Sequence, residues 1–144
     1  MIVNTPNTYI ELTHNDLKPN KGVLWVQGDG SGAINVFIGS VRNKTANKLI
    51  QHLEFEAHES MALKELNKIV VRCQEKWPIH KIWIQHRLGL VEIGAYPVVI
   101  CVSTAHRAAS FAACQFIIDE LKKTVPIWKK ELSANGEEWV SATP

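Results

Sequence analysis

Residues 104–131 read TAHRAASFAACQFIIDELKKTVPIWKKE, and the fold is organised around them. An unbroken apolar run, Val98-Val99-Ile100-Cys101-Val102, leads into this stretch and predicts a buried strand. Ser103 and Thr104 offer hydroxyls where a helix should begin, so Thr104 is the expected N-cap. Phe111, Cys114, Ile118, Leu121 and Val125 recur at steps of three and four and predict a core-facing helical stripe. Pro126 ends the helix, because proline lacks an N–H and restricts the residue before it. His106 and Arg107 then fall at the helix start, where free N–H groups and the positive dipole end attract anions. Lys122 and Lys123 fall in its last turn, and Lys129 and Lys130 on a short strand beyond it. One helix therefore carries cationic groups at both ends.

Outward from this segment, Asn135-Gly136 predicts a turn between Trp128–Leu132 and Glu138–Val140, a terminal β-hairpin. Upstream, Lys81–Leu88 alternates through Ile82, Ile84 and His86 as a strand, and Gly89 and Gly94 bracket a turn-rich segment. Ser60 is the expected cap of a helix over Met61–Trp77, stopped by Pro78. Its stripe is Leu63, Leu66, Ile69 or Val70, and Cys73. Ala33–Val41, alternating through Ile34, Val36 and Ile38, and Leu49–Ala57, through Leu53 and Phe55, read as a hairpin joined by the basic loop Arg42–Lys48. Gln27–Gly32 is a plain loop, since no lysine–serine pair closes its glycines into a phosphate cradle. Thr8–Leu12 is a short strand, and Thr13 or Asn15 caps a weak helix reaching Val26. The sum is an α+β fold in one domain over residues 1–144. It has a mainly antiparallel sheet covered on one face by two long helices, with a small C-terminal hairpin.

A chain of 144 residues suffices for one domain with a real core. Its net charge of +2 demands no nucleic-acid partner, so a basic site must be local. The opening residues lack a long apolar run, which predicts neither a signal peptide nor a membrane span. Cys73, Cys101 and Cys114 are odd in number, far apart and apolar in context, and read as reduced core cysteines of a cytoplasmic protein. No metal or other cofactor is expected: His58-Glu59 lacks the second histidine of a zinc helix.

The cationic candidates are Arg42, His106, Arg107, Lys122, Lys129 and Lys130. Arg42 follows a buried strand, where strand ends often present site residues. On pattern alone Lys122 is as well explained by Asp119 and the helix dipole, and Lys123 by an i, i+4 pair with Asp119. Trp128 beside Pro126 reads as a packing anchor. These residues also fit a non-catalytic phosphate- or nucleotide-binding module.

Ala105-His106-Arg107, Phe111, Leu121-Lys122, Pro126-Ile127-Trp128-Lys129-Lys130-Glu131 and Trp139 together resemble the large, catalytic subunit of molybdopterin synthase. Gly32-Ala33, Phe37, Gly39, Val41-Arg42-Asn43, Leu53-Glu54-Phe55-Glu56-Ala57 and Met61-Ala62 extend the resemblance, which spans Gly32 to Trp139. It implies an α/β-hammerhead type of fold. It also implies a sulfurtransferase that inserts two sulfurs into a cyclic pyranopterin monophosphate as a dithiolene, in molybdenum cofactor biosynthesis. The sulfur comes from the thiocarboxylated Gly-Gly C-terminus of a small ubiquitin-like carrier, bound by a homodimer to give a heterotetramer. By the same resemblance Lys122 is the essential residue and Lys129 supports it. Ser40, Val41, Arg42, His106, Arg107, Lys130 and Glu131 complete the substrate pocket. Whether Lys122 attacks an acyl carbon or stabilises charge stays open at this point. Ala46-Asn47 stands where relatives often carry a glycine, and His58 where tyrosine is common.

Overall fold

The computed structural model describes residues 1–45 and 48–140; Ala46 and Asn47, in the loop expected at Arg42–Lys48, lie outside the described residues. The elements are β1 (Ile2–Asn4), β2 (Thr8–Thr13), α1 (Pro19–Val26), β3 (Ala33–Ile38), β4 (Lys44–Thr45), β5 (Lys48–Ala57) and α2 (Glu59–Lys76). There follow β6 (Ile79–Arg87), β7 (Gly89–Glu92), β8 (Val98–Thr104), α3 (Arg107–Thr124), β9 (Ile127–Ser133) and β10 (Gly136–Val140). They build an α+β fold with two sheets. The first has the order β1-β2-β6-β8-β3, parallel at β2–β6 and antiparallel elsewhere. The second has the order β10-β9-β5-β4, with β7 also on β5, all antiparallel.

β8 is buried at every position. The reason is helices on both faces of the first sheet, where one covered face was expected. Val98, Ile100 and Val102 join the main core with α2 and α3, through Leu66, Ile69, Ile117 and Leu121. Val99 and Cys101 point the other way, to Leu17, Val26 and Trp83 under α1. A strand covered twice has no polar face, hence the unbroken apolar run. On the α1 side Tyr9 stacks on Trp83 with ring centroids 4.0 Å apart.

The helix starts differ from expectation. α3 begins at Arg107 with His106 as N-cap residue; the Thr104 hydroxyl donates to the His106 carbonyl at 2.6 Å, so it serves the approach turn and caps nothing. α2 is capped by His58, whose Nδ1 accepts from the Met61 N–H at 3.4 Å, with Ser60 already inside the first turn. α1 starts only at Pro19, a residue whose missing N–H suits a first helical position. In α3 the buried stripe runs Ser110, Ala113, Cys114, Ile117, Ile118 and Leu121. Phe111 falls beside this stripe and is 61% exposed.

The expected β3–β5 hairpin does not form. β3 pairs with β8 from Ala33↔Thr104 to Ile38↔Val99, while the ten-residue β5 crosses to the second sheet and pairs with β9. Val36 and Ile38 are exposed, since they lie on the α1 side of an edge strand and α1 is only eight residues long. Between Gly89 and Gly94, both at positive φ, the chain is partly a strand on β5. The C-terminal hairpin is present, with Ala134-Asn135 as its turn and Gly136, at φ 115°, opening β10.

Gly32 fixes the approach to α3. A Cβ there would lie 2.2 Å from the Ala105 carbonyl oxygen, and the Gly32 N–H donates to Thr104 O at 2.9 Å. Backbone cannot swing aside as a side chain can. Gly32→Ala is expected to cost about 1–3 kcal/mol, read as a lower melting temperature; an unchanged one would contradict this close approach.

Candidate active site

A cavity of about 310 Å³ opens where the two sheets meet. The exit from β3 supplies Phe37, Gly39, Ser40 and Arg42; the end of β6 supplies His86, and the start of β8 Val98. The last turns of α3 bring Ile118, Leu121 and Lys122. The second sheet closes it with Leu53 and Phe55 of β5 and with Ile127, Lys129 and Glu131 of β9. Strand periodicity selects that last set, because alternate side chains of β9 share a face. Leu53 pairs with Glu131 and Phe55 with Lys129 across the ladder, which lines up both strands on the cavity side.

The same alternation sends Trp128 and Lys130 away. The Lys130 ammonium lies 3.4 Å from Glu137, 4.0 Å from Glu54 and 4.5 Å from the Trp139 ring centre, so it is spent outside the cavity. Trp128 is 48% exposed and anchors no core. Val41 does not line the cavity either. Its side chain is in the main core, its N–H donates to Ala95 O and its carbonyl accepts from Gly94 N–H. His106 and Arg107 are exposed at the far end of α3. Fifteen residues of helix, about 22 Å, separate Arg107 from Lys122. Within one chain, then, the structure unites Ser40, Arg42, Lys122, Lys129 and Glu131. Neither Lys122 nor Lys123 makes the expected pair with Asp119 among the described residues.

Three cations converge on partly apolar walls, and their environment works against their charge. Burial, then Lys129, then Arg42 lower the Lys122 pKa from its ordinary value. Burial lowers that of Lys129 as well; Arg42 adds to this and the Glu131 carboxylate opposes it. The three cysteines are free and buried, and burial pushes their thiols up to about 11 or 12, so none is a ready nucleophile.

His86 is the polar wall residue that sequence reasoning passed over. The available signal was a histidine continuing the apolar face that Ile82 and Ile84 form on this strand. Burial holds its pKa down at about 4; the hydrogen bond to the Arg87 carbonyl acts against this and Lys122 adds to it. A histidine lowered from 6.5 stabilises the fold fully above pH 6.5, and that contribution is lost as pH falls from 6.5 towards 4. The urea midpoint of the wild type should therefore fall more steeply over that window than that of His86→Gln. Parallel curves would contradict a neutral, buried imidazole.

The family model described as MoaE protein matches residues 12–124. The chain belongs to the MoaE family. The match begins twenty residues before the first motif residue, Gly32. Among MoaE-family relatives, molybdopterin synthase catalytic subunit 1 of Aedes aegypti is 44% identical over 135 residues, 91% of this chain and 87% of that one. The crystal structure of molybdopterin synthase from Staphylococcus aureus superposes with a TM-score of 0.87 at 34% identity, over 90% of this chain and 95% of that one. A chain from the protein–protein complex of subunits 1 and 2 of the Helicobacter pylori molybdopterin-converting factor has a TM-score of 0.76 at 24% identity, over 91% and 89%. That last likeness bears on the fold alone.

Proposed function

We propose that this chain is the catalytic subunit of a molybdopterin synthase and that the cavity holding Lys122 is where sulfur is transferred. It converts a cyclic pyranopterin monophosphate into molybdopterin, using sulfur from the thiocarboxylated C-terminus of a small ubiquitin-like carrier. The observation that carries this reading is the convergence of Lys122, Lys129 and Arg42 in one cavity with apolar walls.

Both reactants are anions, a phosphate ester and a thiocarboxylate, and clustered cations draw both to the cavity. Sulfur leaving an acyl carbon takes negative charge with it, which a positioned ammonium stabilises in a partly dry site. The lowered pKa of Lys122 makes it a readier proton donor than a surface lysine and, once deprotonated, a nucleophile. The Arg42 guanidinium lies close enough to act on it electrostatically, and Lys129 supports Lys122. Ser40 and Glu131 supply the remaining polar contacts to the substrate.

His106 and Arg107 stand too far along α3 to reach this cavity from within one chain. Their membership of the substrate site, which the family resemblance implies, calls for a second copy of the chain. That fits a homodimer carrying one carrier per protomer, a heterotetramer. Among the described residues no helix is long and apolar enough to cross a membrane, and three buried free thiols suit the reducing cytoplasm.

The test mixes the purified chain with thiocarboxylated carrier and the pterin precursor and follows dithiolene by mass spectrometry. Product supports the synthase. Precursor binding with no product would leave a phosphate-binding module, and a carrier complex with no precursor binding would leave a tail-binding scaffold.

A further inference from the structure

His86 is 4% exposed, at the back of the cavity. Its Nδ1 lies 2.8 Å from the Arg87 carbonyl oxygen, which can only accept, so Nδ1 carries the proton. The ring is held edge-on to Phe55 with centroids 5.1 Å apart and planes at 71°. With Nδ1 bonded and the imidazole neutral, Nε2 is left as a bare lone pair with no hydrogen-bond partner among the described residues. Around it the Arg42 guanidinium and the Lys122 and Lys129 ammonium groups are donors, and the other buried side chain that can accept is the Glu131 carboxyl group. His86 therefore gives this cationic cavity a neutral acceptor of fixed direction.

We propose that His86 is a specificity-determining residue whose Nε2 accepts a hydrogen bond from a ring N–H of the bound pterin and so selects its reduced form. This rests on the pterin reading of the cavity given above. In a reduced pterin the saturated ring nitrogens carry hydrogens and donate. In the aromatic, oxidised ring those nitrogens have lone pairs, and one of them would face the Nε2 lone pair. Two acceptors pointed at each other in a buried site leave both unsatisfied, which costs more than a lost bond in water. The imidazole stays unprotonated through the physiological range because its pKa lies near 4, so it cannot switch to donating.

The experiment measures binding of the cyclic pyranopterin monophosphate and of its aromatic oxidation product, anaerobically, by calorimetry. The proteins are wild type, His86→Asn and His86→Gln. Asparagine keeps the donor to the Arg87 carbonyl and lacks the acceptor at the Nε2 position; glutamine reaches that position with a carbonyl oxygen. Melting temperatures confirm that each variant is folded. The wild type is expected to prefer the reduced form about tenfold or more, His86→Asn to lose most of that preference, and His86→Gln to keep it. A wild type that binds both forms equally, or an Asn variant with the full preference, overturns the role of His86. No binding of either pterin to the wild type overturns the pterin reading itself, and this proposal with it.

Discussion

Lys122→Ala is expected to reduce product formation by about a hundredfold or more, the size of loss seen when a charge acting on the transition state is removed. Its melting temperature should barely move, since a lysine head at a cavity mouth contributes within roughly 0.5 kcal/mol. The neighbours sharpen this expectation. Lys122 sits close enough to Lys129 and Arg42 for their charges to lower its pKa, so deleting it relieves repulsion. Its stem follows Leu121 out of the core, and its head enters the cavity. Lys123, one residue on, is exposed and outside the cavity, so Lys123→Ala should be nearly silent. Lys129→Ala should damage turnover less completely than Lys122→Ala. Turnover of the three variants beside their melting curves decides the matter. An active Lys122→Ala with a dead Lys123→Ala would mean that the helix is read one residue out of register. A Lys122→Ala that loses activity only in step with stability would make the residue structural.

Ile100→Ala is expected to cost about 2–5 kcal/mol, a large part of the roughly 5–15 kcal/mol that holds a typical domain together. Ile100 is fully buried at the centre of β8, between β6 and β3, beneath α2 and α3. It pairs with Ile84 on one side and Phe37 on the other, and Phe37 lines the cavity. Truncation leaves a void that strands hydrogen-bonded on both sides cannot close. Denaturant unfolding should show a clearly lower midpoint with a similar slope. A loss under about 1 kcal/mol would mean that the core relaxes around the site more freely than paired strands permit.

Much of the fold could be read from residue pattern. Val98–Val102 announced a buried strand by having no polar position, though not the second covered face, and Pro78 and Pro126 marked the ends of α2 and α3. Pairing was harder to read. Ala33–Ile38 and Lys48–Ala57 look like hairpin partners because they are neighbours in sequence, yet each finds a distant partner, β8 and β9. Nothing in an alternating strand names its partner when several apolar runs compete. Caps failed for a related reason: Thr104 and Ser60 carry suitable oxygens, but the neighbouring histidines occupy the extended positions at which these helices begin.

The site divides along the same line. Lys129 and Glu131 share a face by period two, so their partnership follows from strand geometry once β9 is recognised. That rule also excludes Lys130, which the family motif alone could not separate from Lys129. Arg42 and Lys122 meet only through tertiary packing, and the resemblance identified them before the geometry placed them together. His106 and Arg107 show how sequence proximity misleads: on the same helix as Lys122, they are held apart by its length.

The most direct test of a sulfur-transferring cavity is a count of sulfur. With limiting pterin precursor, the intact mass of the carrier is followed alongside the dithiolene product. Two carrier thiocarboxylates should return to carboxylates for each molybdopterin formed, with none consumed productively when Lys122→Ala replaces the wild type. Dithiolene formed without loss of carrier thiocarboxylate, or formed at the wild-type rate by Lys122→Ala, would contradict the assignment.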